Sequence, residues 1–145
     1  MKNTHGFTLI ETMIIIAVLG ILASLAIPSF ISTIEQTKAR KTADFMVELI
    51  NYAKSEALNK NVEVYFTVAN NTACTSKTVA HGCEVRSDPI EKGVTVTITD
   101  SDGNGELIFD GIHGIPNTPA TISVTANAST KNISLNLLGM ATVSK

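Results

Sequence analysis

The sequence has no tryptophan, 5% aromatic residues, two cysteines and three histidines among its 145 residues. It carries no G-x-S-x-G elbow, phosphate-binding P-loop, H-E-x-x-H or Rossmann glycine pattern. His5, His81 and His113 are scattered, and no motif pairs a serine with a histidine and an acid. These absences read as a chain that is not an enzyme and needs no cofactor. The formal net charge is −2, without the global basic excess of a nucleic-acid binder. Charge is also missing locally: the 23 residues between Glu11 and Glu35 carry none.

What fills that gap is a run of Ile, Leu, Ala, Val and Met, FTLIETMIIIAVLGILASLAIPSFISTI over residues 7–34. At about 1.5 Å per residue, such a helix spans the roughly 30 Å hydrocarbon core of a bilayer. Glu11 stands near its start, and a charge held mid-bilayer costs about 2.5–3.5 kcal/mol. Two readings are open at this stage. The carboxylate has a partner, or it sits at the interface in a first helical turn, where the helix dipole favours it. Pro28 removes one helical hydrogen bond and disfavours helix at Ile27, so a kink or local melting is expected. Gly20 and Ser24, four apart, permit close helix approach or are ordinary membrane-helix composition.

A polar leader, Met1-Lys2-Asn3-Thr4-His5-Gly6, precedes the run. An ordinary secretory signal loses its apolar region because cleavage follows it. Here Gly6-Phe7-Thr8-Leu9-Ile10-Glu11 resembles the prepilin-peptidase site of type IV pilins and type II secretion pseudopilins. The resemblance implies cleavage between Gly6 and Phe7, N-methylation of Phe7 and retention of the helix. It also implies that Glu11, fifth in the mature chain, serves subunit assembly. The implied partners are the prepilin peptidase, the inner membrane before assembly, and other major and minor pilins through helix packing. Lys38, Arg40 and Lys41 beyond the span conflict with the positive-inside rule. The resemblance overrides it, with a cytoplasmic leader and a periplasmic head in a bacterial inner membrane, later in a pilus or pseudopilus.

Residues 1–6 thus read as leader, 7–34 as anchor and 35–145 as head, with about 110 residues to build one core. From Glu35 the pattern turns amphipathic. Ala39, Ala43, Met46, Ile50, Ala53 and Ala57 recur at spacings of 4, 3, 4, 3 and 4, one helical stripe, widened by Val47 and Leu49. Asn59-Lys60-Asn61 offers a basic last turn and a C-cap. Strands follow: residues 62–68, 84–86, 94–98, 106–109, 121–126, 132–138 and 140–143, six or seven in all. Asn70-Asn71-Thr72 is a turn, residues 74–83 a stapled loop or hairpin, and 127–130 a hairpin loop. The expected fold is α+β: a long N-terminal helix, apolar then amphipathic, packed on antiparallel sheet.

Tyr52-Ala53-Lys54-Ser55-Glu56-Ala57-Leu58-Asn59-Lys60 resembles the helix-end signature of the GspH/FimT group. Phe109-Asp110-Gly111 and Leu137-Leu138-Gly139 resemble later parts of it. This resemblance implies two packed antiparallel sheets against the long helix. It implies a FimT/FimU-type minor pilin in the tip complex that initiates a type IV pilus. The alternatives are a GspH-type pseudopilin of a type II secretion system and a DNA-binding tip subunit for transformation. Some of the group bind DNA through Gly-Arg-x-Arg on a late loop. This chain has Gly139-Met140-Ala141-Thr142 there, so no DNA-binding residues are assigned.

Other constellations have a plainer reading. In an exported chain, the even pair Cys74 and Cys83 favours a disulfide. Zinc on Cys74, His81 and Cys83 is the weaker reading. Asp100-Ser101-Asp102-Gly103-Asn104-Gly105 matches the first half of a calcium loop, but Gly111 stands where the bidentate acid belongs. It reads as a turn, with no metal assigned. Lys38, Arg40 and Lys41 read as a solvated helix face before a lipid or DNA contact.

Overall fold

The computed structural model describes residues 7–78 and 82–144. One helix, α1 (Leu9–Lys60), is followed by eight strands. The chain divides into two compact units, one ending at Ile34 and one beginning at Glu35.

Thr8 starts α1. Its Oγ1 accepts the Glu11 N–H at 3.3 Å, which satisfies one of the donors a helix start leaves open. The helix is continuous through Pro28, so the local melting expected there does not occur. At the other end Asn61 takes a left-handed φ of 53°, and the Val62 N–H reaches back to the Ala57 carbonyl at 3.3 Å. That five-residue reach is a Schellman-type cap on the Asn59–Asn61 segment.

In the unit from Glu35, the stripe is buried as its spacing requires. Ala39, Ala43, Met46, Ile50, Ala53 and Ala57 are all 0% exposed. Four of the six are alanines, which let the strands approach the helix closely. The core they enter holds Phe66, Phe109, Leu49, Leu107, Ile122 and Ile133.

Two four-stranded antiparallel sheets meet that stripe. One has the order β3 (Arg86–Pro89), β2 (Thr72–Ser76), β1 (Val64–Ala69), β5 (Glu106–Phe109). The other has β4 (Val94–Asp100), β6 (Ala120–Ala126), β7 (Ser129–Leu135), β8 (Ala141–Val143). The β1–β2 turn is Asn70-Asn71, with φ of 50° and 58°, the left-handed pair that a two-residue hairpin demands.

The structure differs from the sequence reading at several strands. β1 starts at Val64 rather than residue 62, and β4 runs on to Asp100, read as turn. Residues 72–76 form a strand where a turn ending at Thr72 and a stapled loop or hairpin over residues 74–83 were expected, raising the count to eight. β3 lies two residues later than residues 84–86. It holds Pro89 because it is an edge strand, where a missing N–H costs no ladder bond. The β6–β7 loop is Asn127-Ala128 alone, since Ser129 and Thr130 pair with Ala126 and Thr125. β7 ends at Leu135, because Asn136 folds the chain into a turn.

Candidate functional site

In the unit up to Ile34, the described apolar side chains face the outside. Phe7 is 75% exposed, Leu9 78%, and Ile34, the least exposed end of the run, 42%. By length and composition α1 is apolar enough here to cross a membrane, and none of its most apolar window is buried within the chain. Such a surface is stable only when lipid or other helices cover it. Glu11 is exposed, and its main chain is engaged by Thr8. The pair has the Thr-x-x-Glu spacing of a capping box, and the structure shows the Thr8 half of it, a pattern visible in the sequence that the membrane reading overlooked. Gly6, the residue before the expected cleavage, lies outside the described residues, as does His81.

Cys74 on β2 is bonded to Cys83, with Cα atoms 4.6 Å apart. Both thiols are thereby consumed, which leaves the zinc reading no thiolate ligands. In the Asp100–Gly105 turn, Gly105 donates its N–H to Asp100 Oδ1 at 3.4 Å, and Gly103 and Gly105 have φ of 74° and 69°. The acid closes the turn. Of the basic trio, Lys38 pairs with Glu91 at 3.4 Å, while Arg40 and Lys41 are exposed. They do not gather into one free basic cluster.

The helix-end signature has a physical role. Tyr52, Lys54 and Glu56 each fasten a different part of the head. The guanidinium of Arg86 lies 4.9 Å from the centre of the Tyr52 ring. Lys54 donates to the Leu138 carbonyl at 3.3 Å. Glu56 pairs with Lys77 at 2.8 Å, and that hydrogen bond holds its carboxyl below the usual value of 4.5. Asn59 donates to Ser55 Oγ at 3.2 Å. Ala53 and Ala57 between them are buried. Arg86 also binds Asp88 at 2.6 Å and Glu48 at 3.9 Å. Nothing local in the sequence marked it, because its partners lie on two elements.

The loop after β5 is fixed by Asp110. Its carboxylate accepts the N–H of Ile112 at 3.2 Å and of His113 at 3.0 Å, and contacts His113 Nδ1 at 3.0 Å. The His113 contact and those amides depress its pKa below 3.8. The loop after β7 repeats the device: Asn136 Oδ1 accepts from Leu138 at 3.0 Å and Met140 at 2.9 Å.

Comparisons with known proteins follow the same division of the chain. The family model described as Type II transport protein GspH matches residues 42–139. The one described as Prokaryotic N-terminal methylation motif matches residues 1–27. A fimbrial protein of Neisseria meningitidis is 34% identical over 105 residues, covering 70% of this chain and 59% of that protein. The chain therefore spans somewhat over half of that relative. A probable minor fimbrial protein of Dichelobacter nodosus is 28% identical over 141 residues, covering 95% of this chain and 77% of that one. The crystal structure of the Pseudomonas aeruginosa type IV minor pilin FimU shares the fold, with a TM-score of 0.62 at 14% identity, over 77% of this chain and 91% of that one.

Proposed function

The chain belongs to the GspH family of the pilin and pseudopilin class, whose members are structural and assemble with one another, and from that premise we propose that it is a minor pilin of a type IV pilus, working in the tip complex that initiates the fibre. The observation that carries this reading is the apolar run of residues 7–34, whose described side chains are all exposed, followed by a head with its own core. Such a run needs a membrane at one stage and neighbouring helices at the next. In this reading residues 1–6 are removed by prepilin peptidase after Gly6, Phe7 becomes the methylated terminus, and the head is periplasmic before assembly. The likeness to minor fimbrial proteins supports the pilus setting. The family model's own description favours a second reading, a GspH-type subunit of a type II secretion system. Neighbouring genes for pilus or secretion machinery separate the two. The DNA-capture alternative gains little from the head, where Lys38 is paired and residues 139–142 hold no arginine. A salt-dependent shift of DNA by the protein would revive it.

Glu11 supplies the test. Among close-packed helices an unpaired carboxylate is expensive. The amine of a cleaved Phe7 on an adjacent subunit would neutralise it and select a staggered register. Glu11→Gln should leave processing and membrane insertion intact and weaken incorporation among other pilins. If Glu11 only favours the helix start, the loss is under about 1 kcal/mol and incorporation is normal. Co-purification with other pilins, at matched membrane levels, decides between these outcomes.

A further inference from the structure

The outer face of the second sheet carries hydroxyls in register and no charge. Alternate residues of β4, β6 and β7, Ile98, Ile122 and Ile133 among them, are buried in the core. The residues between them face away from it. They align across the strands as three rows. Thr95, Thr125 and Thr130 make the first, and Thr97, Ser123 and Asn132 the second. Thr99, Thr121, Ser134 and Thr142 make the third. Every one of these side chains ends in a hydroxyl except Asn132, which ends in an amide. The chain has 11 Lys and Arg and 13 Asp and Glu, and none stands in the three rows. Threonine's fit to a pleated surface accounts for the hydroxyls. It does not account for the missing charge, because solvent-facing strands commonly use charged pairs across the ladder and charges at the edges.

The third row leads into a cavity of about 480 Å³. All four of its residues line that cavity, and Ser101 and Asn136 join them. The hydroxyls of Thr99, Thr121 and Ser134 make no hydrogen bond among the described residues. That of Thr142 donates to the Ser134 carbonyl at 3.4 Å. Asp100 lines the cavity too and is only 9% exposed. Its Oδ1 accepts from Gly105, and its Oδ2 has no hydrogen-bond partner among the described residues. A carboxylate oxygen so placed calls for a donor from the cavity. Pro119 and Met140 give the wall an apolar part.

The wall decides the chemistry of the occupant. A calcium ion takes roughly six to eight oxygens, several of them from carboxylates. Among the described residues no three metal-binding side chains gather. An anion would meet Asp100, and no basic residue lines the cavity to offset it. A cationic amine would use Asp100 and leave the rows idle. An apolar ligand would strip water from the hydroxyls and return nothing. A neutral polyol satisfies all of them. Its hydroxyls donate to Asp100 Oδ2 and exchange donor and acceptor roles with serine and threonine, which hold both. Its C–H face rests on Pro119 and Met140. The sheet fixes the rows about 4.8 Å apart across strands and about 6.8 Å apart along them, so little ordering entropy is lost on binding. Without charge, the face is also cheap to dehydrate.

We propose that this cavity binds one sugar unit of a neutral polysaccharide, with the two further rows carrying the units next to it. Direct binding tests this, so its failure would leave the pilus reading untouched. The test uses the full chain in phospholipid nanodiscs free of glycolipid and of sugar detergents. The probes are neutral oligosaccharides: glucans, mannans, galactans and N-acetylglucosamine oligomers. At least one class should bind, and should shift the amides of Thr99, Thr121 and Ser134 in NMR spectra. Thr121→Val with Ser134→Ala keeps the strand shape and removes two hydroxyls. That variant, and separately Asp100→Asn, should each weaken binding about tenfold, with the Cys74–Cys83 bond and the remaining spectrum unchanged. Thr95→Val, in the first row, should weaken it less. Binding by none of the four classes overturns the proposal. So does undiminished binding in the Thr121→Val, Ser134→Ala variant, or a loss that is larger for Thr95→Val.

Discussion

Arg86 on edge strand β3 places its guanidinium 4.9 Å from the centre of the Tyr52 ring on α1. The same group bonds Asp88 at 2.6 Å, so the edge of one sheet is fastened to the helix by a cation held over an aromatic face. With its side chain 30% exposed, Arg86 gains part of its contact energy out of bulk water. Lysine cannot reproduce the planar stack and the fork together. Arg86→Lys should therefore destabilise the head by about 1 kcal/mol, and a double-mutant cycle with Tyr52→Leu should show coupling of about 0.5–1 kcal/mol. Urea denaturation reads both. Zero coupling would reduce the contact to coincidence.

The leader should be absent from the assembled protein. A small residue, Gly6, directly precedes the apolar run, and Phe7 lies exposed just ahead of the Thr8 cap. Intact mass should match a chain beginning at a methylated Phe7, and Gly6 substitutions should leave an inserted precursor. Finding Met1 to Gly6 retained in assembled subunits would refute the cleavage.

The Cys74–Cys83 bond closes a short loop from the middle of β2 to the approach of β3. Constraining a loop of that size should stabilise the head by about 2–3 kcal/mol. Mass spectrometry of the exported protein should show a two-proton deficit that reduction removes. Cys83→Ser should lower the denaturation midpoint by the corresponding amount. Thiols open to alkylation in the native fold would contradict the bond.

Acid should loosen the loop that bears Ile112. Asp110 has its pKa lowered below 3.8 by His113 and by two main-chain amides. A depressed carboxyl stabilises the fold fully above its unfolded value, and loses that contribution as pH falls through the folded value. The amides of Ile112 and His113 should keep their protection between about pH 5 and 8 and lose it below about pH 4. Amide exchange followed by NMR reports this directly. The same loss in Asp110→Ala at neutral pH would confirm the cause, and full protection in that variant would exclude it.

Much of the architecture could be read without coordinates because it is encoded locally. The uncharged run and its Gly6-Phe7 boundary are contiguous. The stripe from Ala39 to Ala57 is a spacing, and each of its six residues proved fully buried. Asn70-Asn71 carries its left-handed turn in its own backbone preference. Tertiary structure decided what depends on distant partners. Strand β2 looked like loop because its pattern, from Ala73 to Ser76, is buried on both faces rather than alternating. It is a strand because β1 and β3 pair on either side of it. β5 joins β1 through Val64↔Phe109 and leaves β4 to the other sheet, a division no neighbouring residues announce. Arg86 meets Tyr52, and Gly114 comes against Leu58 and against Gly139 of the loop after β7, only after both sheets have closed on the helix. Periodicity and turn chemistry act over a few residues, whereas pairing, ion contacts and exposed surfaces are set by chain segments that the sequence keeps far apart.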